Sequence, residues 1–184
     1  MLKKFLENFL AKVKNYSVTI LYNNLGLIFG PPLSQNSRLD RLLDINIHLA
    51  MSKGLVFKRP SIWLVNGDSL LNYVYERSRT LGQALSGDNC ILIYPLAFCS
   101  LDDATLEIVI AHELGHIIDE QTKRQGHPIF DNLRHLDKEM FAHAIAAYIH
   151  SKISVITALN TAKVQINRVK FFEIILILDP PAPT

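Results

Sequence analysis

Ile108-Val109-Ile110-Ala111-His112-Glu113-Leu114-Gly115-His116-Ile117-Ile118 is an apolar run interrupted by two histidines and one glutamate. A segment apolar almost all round reads as a helix buried inside a domain. Ser100 or Asp102 can cap it near Leu101, and Asp102, Asp103 and Glu107 suit the positive end of its dipole. Residues four apart lie one above the other on a helix, so His112 and His116 can hold one metal ion side by side. Glu113 then stands beside that ion, where it can take a proton from a metal-activated water. Buried imidazoles and a buried carboxylate need partners, and a single ion serves all three. The expectation is a hydrolase with Glu113 as catalytic base and one zinc ion per chain.

Catalytic zinc usually takes three protein ligands and leaves a fourth position for water. Downstream, Lys138 to Ala146 reads as a second helix on which Glu139, Ala142, His143, Ala146 and His150 share a face. The small Ala142 and Ala146 allow this helix to approach the first closely. Glu139 is the expected third ligand, and His143, one turn further on and of the commoner ligand type, is its rival. His127, His135, Tyr148 and His150 are candidate donors to the oxyanion of a tetrahedral intermediate. For each of these four, a solvated loop residue or a satisfied core residue is the competing reading, and His48 reads as structural.

The motif and the later glutamate resemble the gluzincins, zinc peptidases whose ligands are two histidines and a glutamate from a following helix. More narrowly, residues 38–147 resemble the HtpX and CAAX-prenyl-protease type of metallopeptidase domain. The matching features are a helix from Arg38 to Lys53, a Pro-led strand from Pro60 to Val65, Asn72, a strand from Cys90 to Leu96, and the motif helix. The resemblance implies an α+β, zincin-like domain: a small twisted sheet packed on the motif helix, with other helices around them. It also implies zinc on His112, His116 and Glu139, and hydrolysis of peptide bonds in a peptide or protein substrate. His143 stands where that family has an aspartate that orients a ligating histidine, so the support of the ligands and the choice between Glu139 and His143 stay open. The interval from His116 to Glu139 is closer to that of the ImmA/IrrE-like regulatory peptidases. By the same resemblance, Ile91 to Tyr94 are expected to form an edge strand that pairs with the substrate backbone.

At 184 residues, 49% hydrophobic and 20% charged, the chain is long enough to bury a core of its own. It divides into an N-terminal amphipathic helix and connector (1–37), the zincin-like domain (38–150), and a helical extension packed on it (151–184). Helices are predicted at 2–15, 38–53 (closed by Gly54), 101–121, 137–150 and much of 154–177. Strands are predicted at 61–66 and 90–95, with a third near 71–76, while 17–29 fits either state. A net charge of +2 without a basic stripe argues against nucleic acid as a partner. Cys90 and Cys99 have no ligand spacing and read as buried free thiols of a reducing compartment, so a cytoplasmic protein is expected.

Leu2, Phe5, Leu6, Phe9, Leu10 and Val13 form a helical stripe that is expected to pack on the protein's own core. The alternative is peripheral contact of residues 1–15 with an anionic membrane surface. No apolar run reaches the length of a spanning helix. Two non-catalytic readings stand beside the peptidase. One is a metal-binding regulatory or interaction module closed by His143 as fourth ligand, and the other is a membrane-surface adaptor built on the first helix.

Overall fold

The structure, a computed structural model, describes residues 33–65, 81–161 and 178. The helix predicted at 2–15, the segment 17–29, the strand near 71–76 with Asn72, and the far part of 154–177 lie outside the described residues.

β1 (Leu33–Ser34) leads into α1 (Ser37–Ser52), where Asn36 accepts from the Arg38 N–H at 3.0 Å as N-cap. Gly54, at φ 85°, reverses the chain past the end of α1 as expected, in a conformation that costs glycine nothing. Then follow β2 (Ser61–Val65), β3 (Gly82–Leu85), a 3-10 turn (Ser86–Asp88), β4 (Cys90–Ile93) and α2 (Pro95–Ser100). The chain continues through α3 (Asp103–Thr122), α4 (Pro128–Leu133), α5 (Lys138–Ile149) and α6 (Lys152–Thr161). The result is an α+β fold with a mixed four-stranded sheet and six described helices.

The strands lie in the order β1-β2-β4-β3, with β2 and β4 parallel and the two outer pairings antiparallel. β4 reads Cys-Ile-Leu-Ile and is buried at every position, because it is paired on both sides and covered on both faces. Ile91 and Ile93 join the main core, and Cys90, Leu92 and Tyr94 join Val65 in a smaller cluster. This corrects the expectation that Ile91 to Tyr94 form an open edge. The strand beside the motif helix whose outer side has no partner among the described residues is β3. Its sequence, Gly-Gln-Ala-Leu, lacks the alternating β-branched residues that announce a strand.

Pro95 lies just past the end of β4 and opens α2, where its missing N–H costs nothing. Cys99 is exposed on that short helix while Cys90 is buried, so the expectation of two buried thiols holds for one. α3 is the central helix: Leu106, Ile110, Ala111, Leu114, Ile117 and Ile118 have no exposed surface, and α1, α5, α6 and β3 pack around it. Among the described residues no helix is long and apolar enough to cross a membrane.

Candidate metal centre

Asp102 starts α3 by accepting from the Thr105 N–H at 2.7 Å, and Asp137 starts α5 the same way with Met140 at 2.9 Å. The two helices meet at Gly115, where a Cβ would lie 2.8 Å from Ala142 Cα and 2.9 Å from its carbonyl oxygen. Only glycine allows that approach, and the close contact brings the ligand-type side chains of the two helices together.

The connection between the helices is built around Arg124, one of two consecutive residues at positive φ (Lys123 50°, Arg124 58°). Its guanidinium forms a paired salt bridge with Asp119 (2.8 and 3.0 Å) and donates to the carbonyls of Arg134 at 2.9 Å and Leu136 at 2.6 Å. It also covers the Phe141 ring at 4.5 Å. Arg124 thereby fixes where α5 begins, and so where Glu139 stands. Nothing in the local sequence distinguishes this arginine from a surface cation, because its partners come together only in three dimensions.

His112 Nε2 lies 3.5 Å from one Glu139 oxygen and His116 Nε2 lies 3.5 Å from the other. One ligand-type atom from each of the three side chains falls within 4.8 Å of the others. The histidine rings are nearly perpendicular, at 87° with centroids 4.9 Å apart. The two histidine side chains are recessed (17% and 16% exposed) and Glu139 stands at the open side (71% exposed), so the cluster can be reached from solvent.

Burial pushes the pKa of His116 down to about 4 and that of His143 to about 3, leaving both rings neutral at neutral pH. The hydrogen bond from His112 holds the Glu139 carboxyl down at about 2, so it is a carboxylate. Two imidazoles with a carboxylate are ligand types that a zinc-type ion takes, with no fourth protein atom needed. His143 stands outside the three-residue cluster; its ring lies 4.3 Å from that of His112, tilted by 40°. His112 Nδ1 is buried and has no hydrogen-bond partner among the described residues.

Glu113 is buried, and burial raises its carboxyl pKa against the opposing pull of His112 and of the Ala84 amide. It fits under the edge strand because residue 82 has no side chain: a Cβ there would meet Glu113 Cγ at 3.0 Å and Oε1 at 3.2 Å.

The other sequence candidates lie in different contacts. His127 caps α4 through Nδ1, which accepts from the Ile129 N–H at 3.2 Å, and its Nε2 is 2.9 Å from the Lys53 carbonyl oxygen. The Tyr148 hydroxyl donates to that same carbonyl at 3.4 Å, so both residues tie onto the end of α1. His150 Nε2 meets Asn46 Oδ1 at 2.7 Å, and its Nδ1 faces Glu107 at 3.6 Å. His135 is exposed in the turn before α5, and His48 is exposed on α1. The structure therefore brings together His112, His116 and Glu139 with Glu113 and His143 beside them, and directs His127, Tyr148 and His150 to helix-to-helix contacts. Compared with protein-family models, with curated proteins and with solved structures, the chain matches none of them.

Proposed function

We propose that the chain is a zinc-dependent peptidase with a zincin-like fold, using His112, His116 and Glu139 as ligands and Glu113 as base. The observation that carries this reading is the convergence of the two Nε2 atoms on the two oxygens of Glu139, 3.5 Å each, with a buried glutamate next in sequence. A zinc ion held there would supply Lewis-acid activation of a water and of the scissile carbonyl.

Glu113 takes a proton from the attacking water and returns it to the departing amine. Its desolvated site makes it a stronger base than a carboxylate in water, which suits that task. The gluzincin resemblance assigns substrate binding to a strand edge beside the motif helix, and β3 rather than β4 has that position. An extended peptide added to β3 would run past Glu113, with affinity drawn largely from backbone hydrogen bonds.

The test is Glu113→Gln assayed on an unstructured protein such as casein: hydrolysis is expected to fall at least a hundredfold with zinc still bound. A mutant that kept most of its activity would remove Glu113 from the base role. The non-catalytic alternative needs His143 to turn from the His112 ring into the cluster and close it as a fourth ligand.

A further inference from the structure

We propose that the metal centre is built for reversible occupancy, because His112 joins the ligand set with its second nitrogen unsupported and His143 packs against its ring without hydrogen-bonding that nitrogen. This rests on the metal-site reading above and concerns how tightly the ion is held.

For Nε2 of a neutral imidazole to ligate, the ring proton must sit on Nδ1. Histidine ligands almost always give that N–H to a carboxylate, a carbonyl or a water, which locks the tautomer and the ring angle and makes the ligand more basic. His112 Nδ1 is buried and without a partner among the described residues. The ligating tautomer therefore carries a cost that a supported histidine does not. His143 is placed to limit ring motion, with centroids 4.3 Å apart and a 40° tilt, yet that contact leaves Nδ1 unmatched.

Losing this kind of support typically weakens a metal site about ten- to a hundredfold. The solvent-facing Glu139 offers the ion an open way out. Together these features describe a site filled when free zinc is plentiful and emptied when it is scarce, so that occupancy can regulate whatever the site does.

The experiment measures zinc affinity by competition with a chromophoric chelator for the wild type, His143→Ala and His143→Asp, with thermal melts to confirm folding. Long-range proton–nitrogen spectra of the zinc-loaded proteins report the state of His112 Nδ1–H. The wild type is expected to bind one zinc with an Nδ1–H lacking the downfield shift of a hydrogen bond. His143→Ala should stay within a few-fold of it. His143→Asp supplies an acceptor and should bind zinc about ten- to a hundredfold more tightly, with the Nδ1–H moved downfield.

A hydrogen-bonded Nδ1–H in the wild type overturns the proposal whether or not the variants fold. So does zinc uptake that His143→Asp leaves unchanged, or loss of zinc in His143→Ala, which would make His143 a ligand. No zinc uptake by the wild type overturns the metal reading itself.

Discussion

Glu113 on one hand, and His116 and His143 on the other, are held in protonation states that pull stability in opposite directions. Burial raises the Glu113 pKa above its ordinary value of 4.5, so its contribution is complete below that pH and is lost as pH rises through the folded value. His116 and His143 are depressed from 6.5 to about 4 and about 3, so their contribution is present above pH 6.5 and is lost as pH falls toward those values. Two outcomes follow for metal-free protein. Glu113→Gln, which abolishes the proposed chemistry, should raise the Tm at pH 7 by a few degrees, since the buried charge is gone. Thermal melts in chelator should also show the wild type losing stability between pH 6.5 and 4, with a shallower loss in His143→Asn. An unchanged acid limb in that variant would contradict the neutral, buried state of His143. Glu113, His112 and His116 were legible in the sequence because one helical turn contains them all. Glu139 was legible on the next predicted helix, with His143 as its rival, whereas the cramped space above Glu113 depends on Gly82, a residue with no local signal.

α3 was readable from its cap candidates and apolar run, and α5 from its helical periodicity; in the structure each begins at an aspartate cap. α1 was equally plain, from its periodicity and its glycine stop. The elements that escaped notice are short. β3 and α4 span 4 and 6 residues, too few for a period to show. Their placement comes from tertiary contacts instead: β3 from pairing with β4, and α4 from the His127 bridge to Lys53 and the carbonyls gathered by Arg124. The contact between α3 and α5 is the most demanding one at this scale. Gly115→Ala must push Ala142 away by several tenths of an ångström at least. The expected cost is about 1–3 kcal/mol of stability, together with weaker zinc binding as Glu139 moves off the two histidines. Denaturant melts and zinc titration of the same variant check both; an alanine tolerated at full stability and affinity would show that the helices are not held at that distance.

Across the molecule, the sheet and α1 pack against α3, and α5 brings Glu139 to it. A buried polar network joins the same three helices away from the cluster: Asn46 on α1 donates to the Leu42 and Glu107 carbonyls and meets His150 just past α5. Such a network, satisfied at each of these contacts, favours one packing of the helices over its neighbours. That frame presents His112, His116 and Glu139, the proposed metal centre. Its most direct test is metal content per chain, determined by elemental analysis on purified wild type and Glu139→Ala after equilibration with zinc and removal of the excess. One zinc per wild-type chain, lost or greatly weakened in the variant, is the predicted result. No zinc in the wild type, or equal zinc in both, would contradict the assignment of His112, His116 and Glu139 as a metal centre.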